Sequence, residues 1–388
     1  MYNRDMSQAK ICGFAASAVI CALLLTVGCA ELAEETTKPR FEPEETTKAK
    51  VEREEAAERS IEPEEIVKAE VEPEEHKPTV KLALKFTPED LTTYKVTTET
   101  EQSVIWEGPE TNRPKSFIGG HSGSRIEMTF TRRIQSVDDQ GKAVAEITIK
   151  GLKYLTKVRD NIVLDFDSSR EKDRNNPLGK LIGQSYTIEI TASGQVSNVI
   201  DVSSARTAVE GSASANQRAA QLLSTKVIKE QHSIPALPAA ENNQLHRGES
   251  WSNIKTFSFG PMGSKSYERI YELKEIKDTD ERRTAIVEMS VVPSSEKAKE
   301  LHKEQVISFF SQMFDNPVEI YTGQLKFNLT AGKIEQYFEE FRSEWVAVDE
   351  WVFVDELVAV DQFTLKENEE PDTLRMGAIR LYRIERID

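Results

Sequence analysis

Cysteine is scarce in this chain of 388 residues, and every copy lies near the start, at Cys12, Cys21 and Cys29. Beyond residue 29 the sequence therefore offers no disulfide, no thiol nucleophile and no thiolate metal ligand. Histidine is almost as rare, and the copies lack metal-ligand spacing; they are His76, His121, His232, His246 and His302. No glycine-rich phosphate loop is present. We therefore expect no enzymatic activity, no catalytic residues, no metal site and no cofactor.

Two segments come close to known site patterns but miss essential residues. Residues 120–124 read Gly-His-Ser-Gly-Ser, without the last glycine of a nucleophile elbow or its strand–turn–helix setting, so we expect a flexible hairpin loop. Residues 165–169 begin like a calcium loop. Arg170 stands where that loop needs glycine, and Asn176 where it needs a bidentate glutamate. We infer no site at either place.

Positive charge is also limited. The chain has 50 lysines and arginines against 66 aspartates and glutamates, a net charge of −16. No cluster of basic residues with interleaved aromatics stands out, although binding to a phosphate backbone requires one. We therefore exclude nucleic acid as a partner.

The N-terminal region combines a short apolar run with a cysteine. Residues 15–27 are apolar and too short for a durable membrane span, and Gly28 precedes Cys29. Residues 24–29, Leu-Leu-Thr-Val-Gly-Cys, resemble a bacterial lipoprotein signal. This resemblance implies cleavage after residue 28 and lipidation of Cys29. Thr26 departs from that pattern at a position that is usually leucine. An ordinary secretory signal or an uncleaved anchor is the alternative.

The resemblance also implies a location. Ala30 follows Cys29, so the aspartate that retains such proteins at an inner membrane is missing. We expect a cell-envelope protein bound to the membrane through its lipidated N-terminus, at the outer membrane and facing the periplasm.

A degenerate ten-residue repeat fills residues 34–78. Each unit begins with two glutamates, and most units contain a single large apolar residue, which cannot build a core. Between residues 30 and 78 there are 17 acidic and 8 basic residues. We predict a disordered acidic tether that spans on the order of 40 Å as a coil. A binding tail for a cationic partner is the alternative, against which the regular charge mixing argues.

From residue 79 the chain alternates apolar and polar residues in runs bounded by turn residues, which predicts strands. The predicted strands are 80–86, 93–106, 125–137, 143–155, 186–190, 196–202, 251–259, 267–276, 284–292, 324–329, 334–348 and 374–387. Residues 204–231 are rich in Ala, Gln and Leu and predict a helix that starts near Ser212.

The two halves of this body resemble each other. Residues 143–149 match 285–291 in character, and residues 186–196 match 324–334. Hairpins of similar composition are the alternative explanation. We predict a mainly β (α+β) fold with two related antiparallel β units. The predicted divisions are a signal at 1–28, the anchor and tether at 29–78, β units at 79–203 and 251–388, and a helix and linker at 204–250.

Residues 334–345 fit two interpretations. Their large apolar residues fit one helix face, whereas the internal match and Gly332 favour a strand after a turn, which we adopt. Three hexads follow, at 345–350, 351–356 and 357–362. Because an even period keeps the valines on one face, we expect a long strand whose acids oppose aggregation. A ligand wall or a partner edge is the alternative.

Several short motifs resemble a family of uncharacterised bacterial envelope lipoproteins. They are Asp165-Phe-Asp-Ser168, Asn176-Pro-Leu178, Gly183-Gln-Ser-Tyr-Thr-Ile188, Gly194-Gln-Val196, Gly248-Glu-Ser-Trp251, Gly323-Gln-Leu-Lys-Phe327 and Ala331-Gly332-Lys333. The resemblance covers most of residues 80–340. The family has no assigned activity, so the resemblance implies no functional residues.

Two functions agree with these observations. The first is a non-catalytic binding module for an unknown ligand, for which an apolar molecule is a candidate because alternating strands bury one face. The second is a structural or interaction lipoprotein that tethers an envelope protein.

Overall fold

The computed structural model describes the β body of the chain. The described residues are 79–113, 115, 117–240, 243–259, 264–279, 282–292, 315–348, 352–354, 357–359 and 373–388. The predictions for the signal, Cys29 and the tether lie outside them.

Sixteen strands occur within the described residues. They are β1 (Val80–Lys81), β2 (Leu91–Glu107), β3 (Gly120–Val137), β4 (Ala143–Val158), β5 (Asn161–Asp167), β6 (Ser185–Ile190), β7 (Val196–Asp201), β8 (Gln244–Leu245), β9 (Ser250–Ser258), β10 (Ser264–Asp278), β11 (Arg283–Val292), β12 (Asp315–Asn328), β13 (Lys333–Val348), β14 (Val352–Val354), β15 (Leu357–Ala359) and β16 (Thr373–Arg386). The prediction of a mainly β, α+β protein is confirmed.

The helical part of the described chain is short. It comprises α1 (Ser203–Ala208), α2 (Ser214–Leu222) and α3 (Thr225–His232), with 3-10 turns at Glu171–Asp173 and Pro177–Leu181. The expected single helix is therefore divided into three. Gly211 lies between α1 and α2 with a φ of +154°, which no helix accommodates. The Ser224 side chain accepts a hydrogen bond from the Val227 amide and so starts α3 afresh.

One antiparallel sheet contains strands from both halves of the chain. Its order is β7-β6-β4-β3-β2-β16-β13-β12-β11-β10-β9, and β5 pairs with the remaining part of the β4 edge. The C-terminal strand β16 pairs with β13 on one side and with β2 on the other. The two predicted β units thus share a single sheet.

The second half of this sheet curls strongly. Lys255 in β9 and Glu339 in β13 are separated by four strand spacings, roughly 19 Å in a flat sheet. Their side chains nevertheless meet, with 2.7 Å between Lys255 Nζ and Glu339 Oε1. The inner face of the curl is a packed core that includes Tyr267, Tyr271, Phe327, Tyr337 and Phe341.

The helices cover the inner face of the first half. Leu223 and Ile228 are fully buried there, and His232 at the end of α3 contacts Tyr186 of β6. The Tyr382 hydroxyl of β16 donates to the Gln231 carbonyl at 2.8 Å. The helical segment is therefore fastened to the sheet on both sides of β2.

The prediction of a strand at 80–86 is largely wrong, since only residues 80–81 form a bridge, to β8. The next amides donate to three separate loops. Leu82 donates to Asn243, Leu84 to Ala192 and Lys85 to Gly332, over 2.8–2.9 Å. The alternation of apolar and polar residues in this segment reflects the burial of Leu82 and Leu84, which requires no pairing with another strand. The segment closes one end of the core.

The expectation of a flexible loop at 120–124 is also wrong. These residues begin β3 and pair with residues 100–104 of β2. A Cβ on Gly123 would lie 2.1 Å from the Thr100 carbonyl oxygen, so the close approach of the two strands requires glycine.

The interpretation of 334–345 as a strand is confirmed, because β13 spans that segment. The expectation of one long strand through the hexads is wrong. β13 ends at Val348, and β14 pairs antiparallel with β15. β14 and β15 thus run in opposite directions, which a single strand through the hexads does not allow.

Candidate functional site

An ionic cluster is buried inside the curled half of the sheet; it consists of Lys255, Arg269, Tyr321, Tyr337 and Glu339. Lys255 donates to Glu339 Oε1 at 2.7 Å. Arg269 Nη1 donates to Glu339 Oε2 at 2.9 Å. The Tyr321 and Tyr337 hydroxyls donate to the same oxygen at 2.9 and 3.0 Å. One carboxylate therefore receives four donors away from solvent.

Strand alternation brings these residues together. Successive side chains of a strand point to opposite faces, and all five cluster residues occupy odd-numbered positions of β9, β10, β12 and β13. Glu339 thus points inward with Phe341, whereas Glu340 lies on the outer face and pairs with Arg342. The curl then brings β9 and β10 over β13.

The cluster is charged although Glu339 and Arg269 are buried, and the Lys255 side chain is 37% exposed. Burial on its own would raise the pKa of Glu339, but Lys255 and Arg269 outweigh it and lower that pKa to about 2. Burial also raises the pKa of Tyr321 and Tyr337 well above the ordinary value, so both remain neutral donors. Two cations therefore share one anion, which leaves one positive charge in excess.

A neighbouring pair is balanced. Lys265 Nζ donates to Glu319 Oε1 at 2.7 Å, and the Tyr267 hydroxyl donates to the same carboxylate. This pair adds no net charge to the inner face.

A second unbalanced cation lies where the edge strand β9 meets β16. Arg380 Nη2 donates to the Ser258 carbonyl, and its guanidinium carbon lies 5.3 Å from the ring centre of Phe257 and 5.8 Å from that of Phe259. Burial lowers the pKa of Arg380, while Glu230 and Tyr321 act in the opposite direction. Within the described part of the chain, no carboxylate reaches ion-pair distance of Arg380.

We refer to Lys255, Phe257, Phe259 and Arg380 as the basic seam. Lys255 Nζ lies 5.0 Å from the ring centre of Phe257, so two cations flank one aromatic ring. The rings continue inward, because Phe257 stacks on Phe341 with 5.0 Å between centres. Phe259 meets Trp345 edge-on at 5.0 Å. The seam combines positive charge with a cluster of buried aromatic rings.

His232 forms a separate buried contact. Its Nε2 lies 2.6 Å from the Tyr186 hydroxyl, and its ring centre is 4.6 Å from that of Phe130. Burial, and to a smaller extent Arg132, lowers the pKa of His232 to about 3. The imidazole is therefore neutral, and the hydrogen bond between its Nε2 and the Tyr186 hydroxyl joins α3 to the sheet.

The remaining predicted positions are spread over the surface. His121 and His246 each contact a glutamate, at 3.1 and 2.8 Å. Among the residues that the structure describes, no group of three or more His, Cys, Asp or Glu is placed to hold a metal ion. His76, His302 and Cys29 lie outside those residues.

Arg170 occupies the centre of the segment that resembles a calcium loop. Its guanidinium donates to Asp165 Oδ2 at 2.8 Å and to Asp173 Oδ2 at 2.6 Å. Arg170 also donates to the Asp165 carbonyl at 2.6 Å, on the edge of β5. The arginine supplies the positive charge to these carboxylates and covers part of an edge strand.

A shallow groove of about 510 Å³ is lined by Lys85, Asp90 and Lys333 among other residues. Lys85 donates to the Leu329 and Thr330 carbonyls, each at 3.3 Å. Lys333 pairs with Asp90 at 2.7 Å. Because both of its cations have partners, whereas Arg380 of the basic seam contacts no carboxylate among the described residues, the groove is a weaker candidate site than the seam.

Sequence reasoning identified neither the ionic cluster nor the basic seam. A signal was present, because Lys255 shares its strand parity with Phe257, and Glu339 shares its parity with Phe341. Charged residues at inward positions of an alternating strand indicate a buried polar contact.

No helix within the described residues combines the length and the apolar character needed to cross a membrane. A model for a family of unknown function, DUF6263, matches residues 140–313. This match supports assignment to an uncharacterised family. No curated protein matches the chain.

Several solved structures show a weak likeness to this chain. The structure titled lipid-protein interactions in lipovitellin matches with 10% identity and a TM-score of 0.37 over 78% of this chain, and the match covers 26% of the lipovitellin chain. An outer membrane channel from Pseudomonas putida F1 matches with 9% identity and a TM-score of 0.14, over 81% of this chain and 100% of the channel. OpdQ from Pseudomonas aeruginosa matches with 8% identity and a TM-score of 0.15, over 76% and 97%. At these TM-scores the likeness carries no conclusion.

Proposed function

We propose that the chain is a lipid-anchored lipoprotein of the cell envelope whose β body is a non-catalytic binding module. In this proposal Cys29 carries the lipid, the acidic segment at 29–78 holds the body away from the membrane, and the protein lies at the outer membrane and faces the periplasm. The lipoprotein-type signal and the match to an uncharacterised family support the proposal.

The observation that carries the binding role is the excess of positive charge where β9 meets β16, at the half-buried side chains of Lys255 and Arg380. Partial burial of a cation without an anionic partner is unfavourable, so packing alone favours an apolar residue at such a position. Arg380 has a carbonyl and two aromatic rings as neighbours but no carboxylate. An anionic ligand would supply the missing charge.

The contacts of the acid–base groups support a non-catalytic role. Glu339 is engaged by two cations and two hydroxyls, and His232 is held neutral by burial against Tyr186. Both groups fasten secondary structure elements to one another.

The anchor is tested by replacing Cys29 with alanine in the full chain. We expect the intact mass to lose the lipid and the protein to leave the membrane fraction. Cys21→Ala is the matched control and should remain lipidated. A Cys29→Ala protein that stays membrane-bound with an unchanged modification refutes the lipoprotein role.

The binding role is tested on the wild-type chain purified from membranes. Native mass spectrometry should show a co-purifying small molecule that is lost on denaturation. A clean apo mass argues against a binding module.

A tethering role for an envelope protein is the second candidate, and one surface feature favours it. Ile118, Ile162 and Val163 are 60%, 62% and 50% exposed. The Asp160 amide donates to the His121 carbonyl at 2.8 Å, which brings their segments together at one end of the sheet. Cross-linking that captures one envelope protein, lost on Ile162→Ser but kept on Ile387→Ser, would support this role.

A further inference from the structure

The edge strand β9 is held to the rest of the curl by side chains on its free side. Its ladder partner is β10. On the other side, Arg380 donates to the Ser258 carbonyl, and Asn253 Nδ2 donates to the Pro235 carbonyl at 2.9 Å. The C-terminal end of β9 can therefore move away from β16 without breaking a strand ladder.

Parting the seam would release the group best suited to bind an anion. The Arg380 guanidinium loses its bond to Ser258 when β9 moves outward, and it has no carboxylate partner within the described residues. Glu230 attracts it from beyond ion-pair distance. A guanidinium forms paired hydrogen bonds to carboxylate or phosphate, so an incoming anion would replace the carbonyl with a stronger acceptor.

The surroundings of Arg380 specify more than a small anion. Phe257, Phe259 and Trp345 are 4%, 5% and 8% exposed and form a continuous buried aromatic cluster beside the cation, which an outward movement of β9 would uncover. Lys255 adds a second positive charge on the same Phe257 ring. A free inorganic anion would use the charges and leave the apolar surface without a function.

We propose, on the basis of the binding function above, that the basic seam binds a single-chain anionic amphiphile. Arg380 and Lys255 take its carboxylate or phosphate head, and its acyl chain lies along Phe259 and Trp345. The chemistry shared by a fatty acid and a lysophospholipid, an anionic head on one acyl chain, is what the seam recognises.

The test uses the full lipidated chain in nanodiscs of neutral phosphatidylcholine at pH 8. The probe is a palmitic acid analogue that carries a diazirine, compared with the matching palmityl alcohol. We expect the acid to label β9 or β16 with an affinity at least tenfold higher than that of the alcohol. A diazirine-bearing lysophosphatidic acid gives the phosphate arm, and the tighter of the two heads identifies the source.

Variants then assign the head-group contact. Arg380→Gln should lower the affinity for the acid at least tenfold, and Arg380→Lys should restore most of it. Arg383→Gln is the matched control, because Arg383 lies on the outer face of the same strand and is exposed. Circular dichroism and the urea midpoint show whether each variant is folded. If Arg380→Gln does not fold, the comparison of acid with alcohol and the behaviour of Arg380→Lys decide.

Three results overturn the assignment: equal labelling by acid and alcohol, unchanged affinity in folded Arg380→Gln, or displacement of the probe by millimolar inorganic phosphate alone. A native ligand on the wild-type chain that the probe does not displace overturns this assignment and leaves the proposed function intact. A chain that carries no ligand and binds neither probe overturns both.

Discussion

The buried histidine of α3 should make the stability of the protein sensitive to mild acid. His232 has a pKa of about 3 in the folded chain, against an ordinary value of 6.5. Between pH 6.5 and pH 3, His232 therefore binds a proton in the unfolded chain but not in the folded chain. The stabilisation is fully present above pH 6.5 and is lost progressively as the pH falls from 6.5 to 3.

The magnitude follows from the size of the shift. Each pH unit below the unfolded pKa removes about 1.4 kcal/mol until the folded pKa is reached. At pH 5, which is 1.5 units below the ordinary value of 6.5, His232 should have removed about 2 kcal/mol. His232 is only 6% exposed, so solvent screening reduces the effect little.

The assay is urea unfolding, followed by tryptophan fluorescence, at pH 7.5 and pH 5. His232→Gln should be less stable than wild type at pH 7.5, because it loses the ring contact with Phe130, but it should lose about 2 kcal/mol less on acidification. Tyr186→Phe is the matched control, since it removes the hydroxyl partner and keeps the titrating ring. An acid-induced loss in His232→Gln equal to that of wild type would refute the reasoning.

Two further predictions concern packing and charge. Glu339→Gln leaves the buried Arg269 without an anion and should lower the free energy of unfolding by about 3–5 kcal/mol. The outer-face control Glu340→Gln should cost about 1 kcal/mol or less in the same urea titration. Gly123→Ala places a Cβ 2.1 Å from the Thr100 carbonyl and should cost about 3 kcal/mol, against about 1 kcal/mol for Gly141→Ala, which has a φ of +76° and open space around it; equal midpoints for the two alanine variants would contradict the structure.

The strands were predictable because a strand with one buried face alternates apolar and polar residues along its own sequence. Alternation predicted strands at 125–137, 143–155 and 251–259, and β3, β4 and β9 lie there. The same signal failed at 80–86, where alternating leucines are buried but their amides bond to loops. Alternation reports which side is covered, and it carries no information about the backbone partner.

The candidate site depended on contacts that no local pattern contains. Lys255 and Glu339 are 84 residues apart, and they meet because the sheet curls through four strand spacings. Arg380 comes from a third segment, whose place beside β9 follows from the pairing of the C-terminal strand with β2 and β13. The odd or even position of each residue along its strand could have indicated that these side chains point inward. It could not have indicated that they share one interior.

The two buried titrating groups divide the acid response of the body between its halves. Glu339 has a pKa of about 2 against an ordinary 4.5, so its stabilisation is lost only as the pH falls below 4.5 towards 2. His232 begins to lose its contribution near pH 6.5. Between pH 6.5 and 4.5, acid therefore weakens the attachment of α3 to the first half of the sheet while the ionic cluster keeps its charges. The Gln231 carbonyl of α3 also accepts a hydrogen bond from the Tyr382 hydroxyl of β16. Loosening α3 therefore affects β16, the strand that carries Arg380, at a higher pH than the pH at which the ionic cluster changes.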